Sequence, residues 1–592
     1  MRLRRLLRFL PLILLLTLPG NAQAQLTFTT NNGTITITGY TGSPAEVTIP
    51  DTTNGLPVTS IGEGAFVWCF SLISITIGNG VTDIGDYAFS LCLNLTNLTL
   101  GTNLTSIGNH AFENCLSLAG LVLPSSVVSM GDYAFSACPL TSLTLGTNVT
   151  SLGDNAFSQC GALSSVVLPN SLTDIASGVF SNCTALTSII IPNSITNIGD
   201  SAFNSCLSLT NATLGNAILC IGDYAFAECP LTNIFVPASV FSIGDYAFEE
   251  CSLTSVTIPG SVTNIGNYAF FSCPSLTNVT LGTNVACIGA WAFADCGLAN
   301  ITIPDSVTNL GSAAFQSSSL SAITVGALNP VYSSAAGVLF NRDQTALLEY
   351  PPAKSGSYAV PFGVVAIDAN AFFLCTNLTG VTMPNGVTDI ASGLFSNCTA
   401  LASVTLPNSV TNLGDEAFEG CTDLTSVTIP KNVVSIGAST FAGCSTLNEI
   451  TIPNSVTSIE DEAFSACISL TAVYFQGNAP TLGADVFQSA DSATLYYLPG
   501  ATGWDQWVAP PPAVLWNPSI QATNASSWLL NNQFGFTITG TTNIPIAVVA
   551  CTNPANPTWL LLQTCTLTNG SVYFTDPQRT NYPARFYRIR SP

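Results

Sequence analysis

Apolar residues in this chain return in one order every 22 or 23 positions, and their spacing changes character within each period. In residues 72–92 the apolar positions are Leu72, Ile75, Ile77, Val81, Ile84, Ala88, Phe89 and Cys92. Alternation at Ile75, Thr76 and Ile77 predicts a short half-buried strand. Gly or Pro then ends it (Gly78 here; Pro124, Pro192 and Pro259 elsewhere), followed by Asn-Ser or Asn-Gly turn chemistry. Val81 and Ile84 predict a second extended piece, Gly85 turns the chain, and Asp86, Tyr87, Ala88 and Phe89 predict a short helical turn.

The phenylalanine of this unit recurs from Phe66 to Phe315 and again from Phe372 to Phe487. Self-similarity at such a period predicts a β-rich solenoid, in which each turn buries its apolar face only by stacking on its neighbours. A length of 592 residues therefore does not require several central cores. Between Phe315 and Phe372 the period breaks, which reads as one repeat plus roughly 34 inserted residues. A polar turn at Asn341, Arg342, Asp343 and Gln344 between apolar runs predicts a surface hairpin at about 327–360. Residues 25–57 read as an N-terminal cap, 58–517 as the solenoid with its C-terminal cap at about 488–517, and 518–527 as a linker. Apolar runs at 534–539, 544–550, 559–562, 572–574 and 586–589 predict a small all-β sandwich over 528–592.

The run Leu424, Thr425, Ser426, Val427, Thr428, Ile429, Pro430, then Val434, Ser435, Ile436, Gly437, then Phe441 and Cys444, resembles the BspA-type leucine-rich repeat of bacterial surface proteins. The motif recurs from about residue 56 to 486, so repetition makes the resemblance specific. It implies a curved right-handed leucine-rich-repeat array with the main strands on the concave face. It also implies adhesion or protein binding at cell surfaces.

Composition narrows the partner. Residues 1–24 carry Arg2, Arg4, Arg5 and Arg8 before a short apolar run and the small-x-small sequence Ala22, Gln23, Ala24. That pattern predicts a secretory signal peptide cut near Ala24, with the mature chain secreted or at the cell surface and lacking a membrane span. Losing those arginines takes the net charge from −22 to −26. Between Gln25 and Pro518 the basic side chains are Arg342, Lys354, Lys431 and His110, so nucleic acid is excluded as a partner. The tail differs, with Arg579, Arg585, Arg588 and Arg590 against Asp576. No cofactor, metal or catalytic motif stands out, and one histidine cannot support a Ser-His-Asp reading, so a non-enzymatic chain is expected.

Sixteen of the twenty cysteines lie three residues after a repeat phenylalanine, from Cys69 to Cys467, with Ser318 in that slot once. Side chains in one solenoid phase run parallel, so a ladder of reduced, buried thiols is expected. Cys220 and Cys287 fall in an outward phase, and pairing of Cys551 with Cys565 stays open. Asp86, Asp132, Asp154, Asp200, Asp223, Asp245, Asp415 and Asp461 precede the helical turn and read as its N-caps rather than as a cation ladder. The outward strand position is threonine in most turns, Thr76, Thr144 and Thr213 among them. Val122, Val167, Ile190 and Phe235 break that rule in near-adjacent turns and form the candidate strip for an extracellular protein partner, although β-propensity also places Val and Ile there; Tyr474 is a further exception. Tyr224, Tyr246, Tyr268 and Trp291 share another phase in successive turns. With the aromatic-rich terminal module (Trp528, Trp559, Tyr573, Phe586 and Tyr587) they are the candidate contacts for a surface glycan, or else the ladder stacks on itself. A structural spacer is the third reading.

Overall fold

The computed structural model describes residues 25–507, 510–521, 529–530, 533–555, 557–582 and 584–590. The expected signal peptide, Trp528 and most of the expected linker lie outside the described residues. The chain divides into two compact units, Met1–Val240 and Phe241–Pro592. Both are β-solenoids built from the predicted period, and the second ends in a further β-rich region.

In the first unit the strands Gln25–Asn31 and Thr34–Thr41 pair antiparallel, and the latter runs parallel to Leu56–Ile61. From there two parallel rows develop. Main strands pair as Glu46–Ile49 with Ser74–Ile77 and Asn97–Thr99, as Ser142–Thr144 with Ser165–Val167, and as Ser188–Ile190 with Asn211–Thr213. Two-residue strands such as Asp83–Ile84, Ser106–Ile107 and Ser129–Met130 form the second row. The segments carrying Val122 and Phe235 fall outside the assigned strands, unlike the strand per turn that the alternation predicts.

The third arc of each turn is not helical. Tyr87 and Leu91 sit at φ 56° and 60°, and residues such as His110 and Asn114 repeat these left-handed positions in later turns. Left-handed residues interrupt a right-handed helix and redirect successive N–H groups. Here they aim at the next turn: Tyr87 N–H donates to Asn109 O at 2.8 Å and Phe89 N–H to Ala111 O at 2.7 Å. The aspartates follow suit. Asp86 Oδ1 accepts the N–H of Asn109, and Asp154 Oδ1 that of Ser177, so these carboxylates join neighbouring turns instead of capping a helix.

Phenylalanine rings stack from Phe66 to Phe226 with centroids 4.9–5.9 Å apart, and all are buried. Beside them each thiol from Cys92 to Cys229 donates to the carbonyl of the preceding turn's phenylalanine at 3.1–3.4 Å. Cysteine thus fills a methyl-sized core slot and also saturates an acceptor. Burial pushes the Cys160 thiol up to about 12.

The second unit repeats this plan from Phe248 to Phe315 and from Phe372 to Phe487. Between these runs the expected hairpin forms, Val338–Asn341 antiparallel to Ala346–Glu349, but it lies in the core and not on the surface. Strands Tyr332–Ala335, Val338–Asn341 and Ala346–Glu349 pair in sequence, and the last runs parallel to Ala366–Ile367. Val338, Leu339, Phe340, Leu347 and Tyr350 are all buried. Tyr350 stands 22 residues before Phe372 and packs on it at 5.0 Å, so it holds the phenylalanine slot of an enlarged turn. Ser318 is exposed, and Ser317 is the buried residue that donates to the Cys296 carbonyl, because the enlarged turn shifts the register.

The C-terminal region forms two antiparallel sheets. One holds Ser519–Gln521, Gln533–Thr539 and Ser571–Asp576, and the other holds Leu560–Thr566, Pro545–Cys551 and Phe586–Arg590. Phe536, Ile538, Ile546, Val548 and Phe574 share a core with Ala472, Tyr474 and Tyr496 of the last turns. Cys565 pairs across from Ile546, five residues from Cys551, so the two thiols lie far beyond disulfide reach and both are free.

Candidate binding face

The outward position of the main strands is set by alternation. In Ser188–Ile190 and Asn211–Thr213, Ile189 and Ala212 point into the core while Ile190 and Thr213, directly paired, point out. Val167 is likewise paired with Thr144. Val122, Val167, Ile190 and Phe235 are 82%, 57%, 71% and 73% exposed. Burying such side chains against a partner contributes roughly 1.5–3 kcal/mol each. Tyr474, in the same phase, is covered by the C-terminal region and belongs to its core.

The aromatic phase is organised differently. Tyr246 and Tyr268 stack at 4.7 Å with planes 2° apart, and Tyr268 and Trp291 at 6.3 Å with planes 3° apart. Trp291 also meets Phe373 edge-on. Tyr224, on the first unit, is partly exposed. A sugar needs an open ring face, whereas in this ladder faces are turned to neighbouring rings. The same phase of the first unit holds His110, stacked between Tyr87 and Tyr133 at 4.6 and 4.9 Å, with Nδ1 2.9 Å from Glu113 Oε2.

Among the described residues no group of three or more metal-ligating side chains is brought together, and no helix is long and apolar enough to cross a membrane. Two exposed apolar residues escaped the repeat pattern, Leu328 and Phe362, both flanking the enlarged turn where periodicity gives no guide. Trp516, Lys431 and Arg590 also escaped it, because only folding brings the C-terminal region beside the last turns.

Turns of 22 or 23 residues with stacked phenylalanines and parallel short strands define a leucine-rich-repeat solenoid. The family described as BspA type leucine rich repeat region matches residues 39–162, 128–253, 241–335 and 365–494, and the chain belongs to it. Among solved structures, a leucine-rich repeat protein from Bacteroides ovatus ATCC 8483 is 25% identical, over 80% of this chain and 98% of that one, with a TM-score of 0.39. A leucine rich cell surface protein from Faecalibacterium prausnitzii A2-165 is 28% identical over 78% and 96%, with a TM-score of 0.32. The pneumococcal vaccine antigen PcpA is 23% identical over 61% and 84%, with a TM-score of 0.46. A comparison with curated protein sequences finds no match.

Proposed function

We propose that this is an exported, non-enzymatic binding protein that takes an extracellular protein partner on the main-strand face of its first unit. Val122, Val167, Ile190 and Phe235 supply the contact. The carrying observation is their exposure in a row that is otherwise threonine, since the fold gains nothing from placing a large apolar ring at Phe235 in solvent. The basic, then apolar, then small-x-small pattern of residues 1–24 supports export. The single histidine of the chain, too few for a Ser-His-Asp set with a separate acid–base partner, supports a role without catalysis. The C-terminal module assists attachment or surface retention.

Phe235 is the anchor, because a large aromatic contributes most when desolvated at an interface. A partner isolated on the full chain should bind Phe235→Ala at least tenfold more weakly, measured by biolayer interferometry. Equal affinity would place the contact elsewhere.

A further inference from the structure

We propose that the second unit carries a separate binding cleft for a carboxylated sugar, where the C-terminal module meets the last main strands. Two hollows of about 450 and 540 Å³ there share Thr451, Gln476 and Arg590. Each is of the size that small-ligand sites occupy, and such sites favour junctions between modules.

The lining is built rather than incidental. Trp516 forms a wall and is fixed by its Nε1–H, which donates to Pro545 O at 2.9 Å. The Tyr474 hydroxyl is buried without a hydrogen-bond partner, and Tyr474 lines the same hollow. A buried hydroxyl left unpaired calls for a ligand or water group. The amides of Asn454 and Gln476 and the Thr451 hydroxyl offer both donors and acceptors, as vicinal sugar hydroxyls require.

Charge selects the carboxylate. Three of the four module arginines are engaged elsewhere: Arg585 with Asp576 at 2.7 Å, Arg579 with Tyr582 O at 2.8 Å, and Arg588 over the Trp559 ring. Arg590 points its strand end to the cleft, and Lys431 lines it from the solenoid side. Among the described residues neither forms an ion pair. Against them stands Glu449, leaving a net positive place on a chain of net charge −22. An acidic peptide fits less well. Ala472–Phe475, the strand carrying Tyr474, lies between Glu449–Ile452 and Thr494–Tyr497, so the central lining strand offers no free edge for a peptide backbone.

The test is calorimetric titration of the full chain with trigalacturonate and sialyllactose, which separate a uronate from a sialate. Lactose and a hexaglutamate peptide are the controls. One carboxylated sugar should bind at least tenfold more tightly than lactose. The double variant Lys431→Gln and Arg590→Gln should lose at least tenfold of that affinity with its melting temperature unchanged, and Phe235→Ala should lose none. The proposal is overturned if neither acidic sugar binds, if lactose binds equally well, if only the peptide binds, or if the double variant binds like the parent.

Discussion

Around Phe180 each turn repeats the contacts of the one before, with rings 5.6–5.9 Å apart, thiol to carbonyl and amide to carbonyl. The enlarged turn of the second unit meets the same demands with other chemistry. Tyr350 replaces the phenylalanine, and Gln316 stands where Ser90, Ser136 and Ser396 stand elsewhere. Glu349 occupies the slot of Ala88 and Ala371. The Phe293 N–H donates to a backbone carbonyl, Ala314 O, at 2.8 Å, whereas the Phe315 backbone has the Glu349 carboxylate beside it. Extra residues displace the next turn, so polar side chains substitute for backbone groups. Regularity lets a solenoid bury small apolar fillers; a break in register puts ionisable groups into the core.

The largest effect should come from removing the break itself. Deleting residues 328–345 takes away Val338, Leu339 and Phe340 from the core, so the second unit should lose its cooperative unfolding transition in urea. A sharp transition near the parental midpoint would show that the segment is dispensable. Within the regular stack, Phe180→Ala should lower stability by about 3–5 kcal/mol through the cavity left between two rings. A chemical-denaturation shift under 1 kcal/mol would mean that the stack relaxes around the gap.

Glu349 sharpens the comparison by pH. Its second oxygen, Oε1, lies buried without a partner beside a cavity of about 90 Å³, and burial raises its pKa from 4.5 to about 8. Asp368 and Tyr332 line the same cavity, and Cys375 is the nearby thiol; burial raises all three as well. The folded carboxyl keeps its proton while the unfolded one releases it, so stability declines from pH 4.5 to about 8 by up to ~1.4 kcal/mol per pH unit. Glu349→Gln should flatten that slope and raise stability at pH 8. An unchanged slope would locate the pH dependence in other groups.

The thiols should show the opposite insensitivity. Native protein should release to a thiol reagent only the half-buried Cys69, Cys220, Cys287 and Cys565, while denatured, unreduced protein should yield all twenty. Finding consecutive ladder cysteines joined in pairs would contradict the hydrogen-bonded sulfur row.

The sequence made the solenoid legible because each turn repeats one arrangement, and eighteen phenylalanines state the period without help from contacts. The apolar strip was legible for the same reason, as a departure from a threonine row. Local conformation was less so. The Asp-Tyr-Ala-Phe run reads as a helical start, but neighbours decide where its N–H groups go, and left-handed residues such as Tyr87 follow from stacking. The enlarged turn was misread because Tyr350 does not match the phenylalanine pattern, although its spacing of 22 from Phe372 was available. The cleft was invisible because Lys431, Trp516 and Arg590 are far apart in the chain and meet only when the last strands cover Tyr474.

The central claim is that folding and recognition use different positions of the same turns, inward for stacking and outward for binding. The variant carrying Val122→Thr, Val167→Thr, Ile190→Thr and Phe235→Thr tests it most directly, since threonine is what neighbouring turns already place there. Paired measurement of its thermal transition and of its affinity for the isolated partner should give a melting temperature within about 2 °C of the parent and a loss of affinity of at least a hundredfold. Parental affinity in a folded quadruple variant, or a collapse of the thermal transition, would contradict the account.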